Sequence, residues 1–464
     1  MSRNLDVQGP YLEGRRMITE SAFVAIAGLV AVIALLFLAI VKFKWHVFLA
    51  LLVPILLFGL LPGVNQRTFI AAFEQGFGRT IQSIAVVIVL GSVIAEALKH
   101  TGGIERITSS MIEWVGHQRM PLALTMSGWV IGIAIFSDVG YVILNPLVHS
   151  AALKSGTTMS LMATGLVGSM QLTHAMVPPT PGPLAAVALV GADLGTVILY
   201  GSVITLVASI AGWLFALAVG PHVPSPPSTE FVGQSLIEQG RAAELPSTWR
   251  AYAPIVVPLA LIAGQSAAAN VLPQDHLVNR VMLYLGWPVI ALGIGILLAY
   301  WNTNSSQAKD RTSTWIEDAL RTSAMIIMVT GLGGALSYIL RETPAVDAIA
   351  GAVASTGLPA IFLPFALGVV GNMVTGSTTV GVITAASVTA PMMGTLGLRP
   401  EATMLAGAAG SMIIKYPNSS YFWVCTSLSR MPLNAAMISY GGVTFVGGVV
   451  AMACVYAFWA IGLI

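Results

Sequence analysis

Long apolar runs alternate with short polar turns along the whole chain. Ten runs approach or exceed the roughly 20 apolar residues with which a helix crosses a bilayer: Ser21–Val41, Val47–Leu61, Phe77–Leu98, Pro121–Leu144, Leu194–Gly220, Tyr252–Ala269, Val281–Tyr300, Thr322–Leu340, Leu358–Val374 and Met437–Ile464. Two more apolar stretches, Ser160–Val190 and Met404–Ser427, are interrupted near their middles by Pro, Asn, Ser or Thr. Backbone freed by such residues is tolerated in hydrocarbon only where protein or a cavity satisfies it. These stretches read as broken or re-entrant helices. The pattern predicts an all-α polytopic membrane protein with about 10–14 membrane segments.

Residues 221–250 form the long polar stretch, rich in Pro, Ser and Glu, and read as a solvated linker. They divide the chain into an N-terminal tail (1–20), a membrane repeat (21–220), the linker (221–250) and a second repeat (251–464). The halves match in order. At an offset of 242, Gly91, Leu98, Lys99 and Thr101 meet Gly333, Leu340, Arg341 and Thr343, and Met162, Gly165, Gly168, Ser169 and Met170 meet Met404, Gly407, Gly410, Ser411 and Met412. At 238, Pro121 meets Pro359 and Ser137 meets Thr375. Repeats with interrupted helices in matching places point to a secondary transporter, and inverted topology is the preferred form. The amphipathic stretches Asn65–Gln75 and Ile104–Trp114 read as interfacial.

Composition narrows the class. Of the 464 residues, 56% are hydrophobic and 9% charged, against roughly 25% charged in a soluble domain. Mean hydropathy is +0.84. A soluble enzyme or a nucleic-acid binder does not fit, and the scattered basic residues form no patch for nucleic acid. The first run is longer than a signal h-region and is followed by Lys42, Phe43 and Lys44, so it reads as an uncleaved span. Cys425 and Cys454 make no disulfide or metal pattern. Basic residues are even on the two sides, so orientation stays open. Glu96, Arg79 and Asp193 lie near helix ends and read as structural.

Four breaks carry the candidate chemistry. In the first, Phe136-Ser137-Asp138-Val139-Gly140, Asp138 lies deep in an apolar run, where a charge costs roughly 2.5–3.5 kcal/mol. It reads as a proton carrier, or as the cap of a half-helix. The second runs from Thr173 to Pro183 and holds His174, Pro179, Thr180 and Gly182. Its prolines end one helix, and Pro183 can open another whose start attracts anions. His174 is a second candidate proton group, or a satisfied structural His. The third, Thr375-Gly376-Ser377-Thr378-Thr379, offers hydroxyls that bind an oxyanion, coordinate a cation, or bond back to their own helix. In the fourth, Lys415-Tyr416-Pro417-Asn418-Ser419-Ser420, the last three residues suit a helix start, while Lys415 either attracts an anion or snorkels to the interface. Half-helix starts from both halves meeting near the midplane would make an anion site without clustered full charges.

With these segments in view, the chain resembles the gluconate permease family, the gluconate:proton symporters of the ion transporter superfamily. The resemblance runs from about Phe77 to Tyr440 and rests on GFGRTIQSIAVVIVLGSVIAEALKHTGGIERI, FSDVGYVILNPLV, THAMVPPTPGPLAA, TGSTTVGVITAA and GSMIIKYPNSSYFW. It implies a multi-pass inner-membrane, proton-coupled importer of sugar acids or related hydroxy-carboxylates. It also implies a homodimer that moves a transport domain against a scaffold, in elevator fashion. The chain departs from the family pattern where Thr180 replaces a second His, Tyr416 a His and Ser419 an Asp.

The expected function is therefore import of a small organic anion with protons, within membrane lipid, with no cofactor, metal or nucleic acid. Ser137, His174, Pro179, Thr180, Gly182, Thr375, Gly376, Ser377, Thr378, Asn418, Ser419 and Ser420 are the expected substrate-binding residues, and Asp138 and His174 the proton-coupling ones. Sodium coupling through Thr375, Ser377, Asn418 and Ser420 is the alternative. An intramembrane enzyme is remote, because no HExxH, GxSxG or Cys–His pattern is present.

Overall fold

Many helices along this chain start where a side-chain oxygen, a ring nitrogen or a proline relieves the unpaired N–H groups of the first turn. The structure is a computed structural model that describes residues 18–19, 21–231, 245–273, 275–301, 313–344, 347–348, 351, 355–413, 415, 417 and 419–464. All regular elements among these residues are helical. Part of the expected linker (232–244) and the candidates Tyr416 and Asn418 lie outside them.

Helix α1 (Ala22–Val41) starts behind Ser21, whose Oγ accepts from Val24 N at 3.3 Å. Helix α2 (Val47–Phe58) follows His46, and α3 (Gln66–His100) starts behind Asn65, whose Oδ1 accepts from Arg67 N and Thr68 N. At about 1.5 Å per residue, the 35 residues of α3 exceed a membrane's hydrocarbon thickness, so its first turns, Asn65–Gln75, continue the helix. Ile104–Trp114 forms its own helix, α4 (Gly103–Val115). Then come α5 (Met120–Ala134), α6 (Ser137–Ser155), α7 (Met159–Met176), α8 (Pro181–Val190) and α9 (Leu194–Val219). The second half holds α10 (Thr248–Val271), α11 (Leu277–Leu285), α12 (Pro288–Tyr300), α13 (Thr314–Arg341), α14 (Phe362–Thr375), α15 (Thr378–Thr389), α16 (Pro400–Met412), α17 (Ser420–Leu428) and α18 (Gly442–Ala460).

Six helical segments among the described residues are long and apolar enough to cross a membrane, or seven if α11 and α12, bent by 66°, count as one. Helix α1 has 20 residues, and the other apolar runs are broken or shorter. Pro121–Leu144 is split at Ile135 and Phe136, both extended, into α5 and α6. Leu358–Val374 shortens to α14, which ends at Gly376 in the left-handed region (φ +70°).

Helix contact relies on missing side chains, as expected where lipid supplies no hydrophobic drive between helices. A Cβ on Gly76 of α3 would lie 2.4 Å from the Gly334 carbonyl oxygen of α13. Likewise, one on Gly132 of α5 would sit 2.5 Å from the Met170 oxygen of α7, and one on Gly410 of α16 would sit 2.0 Å from the Phe365 oxygen of α14. Arg79 donates to Tyr338 Oη at 3.3 Å, Lys99 pairs with Glu96 at 3.0 Å, and Asp193 Oδ1 accepts from Thr196 N at 2.7 Å to start α9. These four charges hold helix ends and helix contacts.

Candidate functional site

The chain breaks in the middle of four apolar stretches, and a cavity of about 450 Å³ lies where three of the breaks meet. That volume is within the range of small-molecule pockets, roughly 300–1,000 Å³. The starts of α6, α15 and α17 all reach it: Ser137 and Asp138 from α6, Ser377 to Val380 from α15, and Ser419, Ser420 and Tyr421 from α17. The end of α14 adds Thr375 and Gly376, and α7 adds Gln171 and His174. Each helix start carries unpaired N–H groups and a partial positive charge, so three of them at one cavity favour an anion.

At the α6 start, Ser137 Oγ donates to the Met170 oxygen at 3.2 Å and is buried. Asp138 is exposed to the cavity, and its Oδ1 accepts from Val139 N at 3.0 Å. At the α15 start, Ser377 Oγ accepts from Val380 N at 3.3 Å, while Thr375 Oγ1 donates to the Gly371 oxygen at 2.7 Å and accepts from Ser377 N at 3.1 Å. The hydroxyl of Thr375 is thus spent on the turn it terminates. Thr378 Oγ1 accepts from Gln171 Nε2 at 2.5 Å. At the α17 start, Ser419 is buried and Ser420 exposed. His174 ends α7, with its ring 5.4 Å from the Phe136 ring. Its Nδ1 is buried with no hydrogen-bond partner among the described residues. Both Asp138 and Lys415 act on it electrostatically.

Lys415 is 2% exposed and lines the cavity wall, so its ammonium does not snorkel to an interface. Sequence leaves its direction open, because a long flexible stem reaches either way. Gln171 and Val380 are site residues that no polar break marks, and Thr379 of the third break joins the lining. Trp45 and His46, between α1 and α2, Val47 at the start of α2, and Met325, Ile326 and Val329 of α13 supply the remaining wall. Their place follows from packing alone.

The fourth helix start, that of α8, stays outside the cavity. Pro179, Thr180 and Gly182 do not line it. Thr180 Oγ1 donates to the His174 oxygen at 2.9 Å and the Val177 oxygen at 2.8 Å, so it closes the break instead of facing a ligand. Gly182 packs against Thr379, whose Oγ1 would stand 3.3 Å from an added Cβ, and Pro179 places its carbonyl 3.2 Å from a Cβ on Gly91 of α3. Residues 179–182 therefore pack behind the cavity wall, while His174 of the same break lines it. No group of His, Cys, Asp and Glu suited to a metal exists among the described residues.

Comparison with known proteins fits this arrangement. Residues 24–461 match the family model of the GntP family permeases. A gluconate permease of Pseudomonas aeruginosa is 29% identical over 90% of this chain and 93% of its own length. A D-serine transporter of Escherichia coli K12 is 30% identical over 91% of this chain and 95% of its own. Among solved structures, the YdaH transporter of Alcanivorax borkumensis shares the fold, with a TM-score of 0.58 at 15% identity, covering 85% of this chain and 88% of that one. With six or seven apolar spans among its described residues and relatives that are permeases and transporters, the chain is a multi-pass inner-membrane transporter, not an enzyme, and it belongs to the GntP permease family.

Proposed function

We propose that the chain imports a small hydroxylated organic anion together with protons, binding the anion in the cavity at the breaks. The observation that carries this reading is the convergence of three half-helix starts and the buried Lys415 on one cavity. A carboxylate there meets N–H donors and an ammonium, and serine and threonine hydroxyls stand beside it for a polyol chain. The compounds for which the gluconate, L-idonate and D-serine transporters among the relatives are named share a carboxylate beside at least one hydroxyl, which supports that substrate class.

Asp138 is the proton-coupling group of this reading. As a carboxylate in the same cavity it repels an anion, and protonation removes that repulsion, so the two ligands favour each other's binding. His174 shares the electrostatic environment and is the second proton group. Residues 21–220 and 251–464 act as inverted repeats that contribute two breaks each. The protein works as a homodimer in which the cavity-bearing helices move against a scaffold. Each half carries a long helix followed by two broken pairs, which supports that division.

The test uses purified protein in liposomes with gluconate as probe. A pH gradient with the outside acid is expected to drive accumulation above equilibrium, and stabilising carboxylates in a thermal-shift screen are expected to raise Tm by mass action. Equilibration without accumulation would reject coupling, and the absence of any stabilising carboxylate would reject the anion site.

A further inference from the structure

Lys415 holds an unusual position for a buried cation. Its Nζ donates to Asn372 Oδ1 at 2.6 Å and to the Gly376 oxygen at 3.3 Å. Both acceptors are neutral oxygens, and no Asp or Glu forms an ion pair with it among the described residues. Gly376 stands directly behind the C-terminus of α14, where the last carbonyls lack helical partners and carry partial negative charge. Asn372 is held in turn by its Nδ2, which donates to the Ile413 oxygen at 3.1 Å. The lysine backbone is also fixed, since its N–H donates to Thr444 Oγ1 at 3.0 Å. A side-chain amide oxygen and a half-helix C-terminal carbonyl, beside a midplane cavity, are the ligands with which broken transporter helices coordinate alkali cations.

We infer that the Lys415 ammonium occupies a monovalent-cation site built by Asn372 and the C-terminus of α14, and thereby frees this chain from sodium. An ammonium has three donors; two go to those oxygens, and the third is left for the bound carboxylate. One fixed charge then serves as the cation that other broken-helix sites draw from solution. Neutral oxygens without a carboxylate favour a single positive charge over a divalent ion. The inference deepens the transport reading and rests on the cavity being the anion site.

Binding of gluconate is measured by thermal shift, and uptake in liposomes, in lithium, sodium, potassium or N-methylglucamine chloride at fixed pH. The unaltered protein is expected to bind and transport equally in all four. Lys415→Ala is expected to lose gluconate binding at least tenfold in N-methylglucamine and to regain a substantial part of it with one small alkali cation or with methylammonium. Lys415→Gln keeps a donor in the hole and is expected to stay folded, to bind weakly, and to show no cation response. Sodium-dependent uptake by the unaltered protein would overturn the inference. So would a folded Lys415→Ala that no cation restores, or a Lys415→Gln that binds normally without any cation. If the unaltered protein binds no carboxylate at all, it is the anion-site reading that fails.

Discussion

Gln171 of α7 and Thr378 of α15 are joined by a hydrogen bond of 2.5 Å, which ties the first half of the chain to the second at the edge of the cavity. Both residues are buried, so removing one partner leaves the other's polar atom unsatisfied. Gln171→Ala is expected to weaken gluconate binding about tenfold. A double-mutant cycle with Thr378→Val is expected to give a coupling of about 1 kcal/mol in thermal stability. Additive effects would show that the bond does not hold the two breaks together.

Asp138→Asn separates coupling from binding. The amide keeps the shape at the start of α6 but takes up no proton. Liposomes are expected to lose accumulation driven by a pH gradient while gluconate exchange persists. Normal accumulation by the variant would remove Asp138 as the coupling group.

Thr180 tests the side of the site behind the cavity wall. Its hydroxyl bonds two carbonyls of the break, so Thr180→Val is expected to lower stability by about 1–3 kcal/mol, read as a fall in Tm. Affinity for gluconate in the surviving folded fraction is expected to stay within twofold. A selective loss of affinity would place Thr180 against the substrate after all.

Two glycines give opposite expectations for the same added methyl group. At Gly410 the new Cβ falls 2.0 Å from a backbone oxygen of Phe365, which cannot move without shifting α14. At Gly140 it falls 2.1 Å from the terminal methyl of Met170, the free end of a flexible side chain. Gly410→Ala is expected to abolish folded protein in detergent, whereas Gly140→Ala is expected to express with Tm lowered by only a few degrees. Size-exclusion profiles with thermal melts decide it.

Much of the site can be read from the chain because its chemistry interrupts a strong pattern. Ser137, Asp138, Thr375 to Thr378, Ser419 and Ser420 stand out as polar residues inside apolar runs, and all of them line the cavity. The proline run stands out for the same reason, yet Thr180 and Gly182 face inward packing. A break signals that backbone groups need partners, without saying whether a ligand or a neighbouring helix supplies them. Gln171 is missed because one polar residue in a helix has a direction only once the helix has neighbours. Trp45 and Met325 carry no polar signal, so nothing local distinguishes a wall residue from a lipid-facing one. The fold class follows from run lengths, whereas the splitting of Pro121–Leu144 at Ile135 depends on an extended pair that apolar content conceals.

The pairing of α3 with α13 sets a mechanical condition. Among the described residues, the side chains of α13 donate to or accept from its own turns and α3: Ser323 bonds Ser92 at 2.9 Å, and Tyr338 takes the Arg79 bond. Toward the cavity the helix shows Met325, Ile326 and Val329, which form no hydrogen bond with the polar lobe opposite. In the elevator motion proposed above, the cavity-bearing helices would pass these three side chains by trading one set of dispersion contacts for another, with no hydrogen bond of theirs to break.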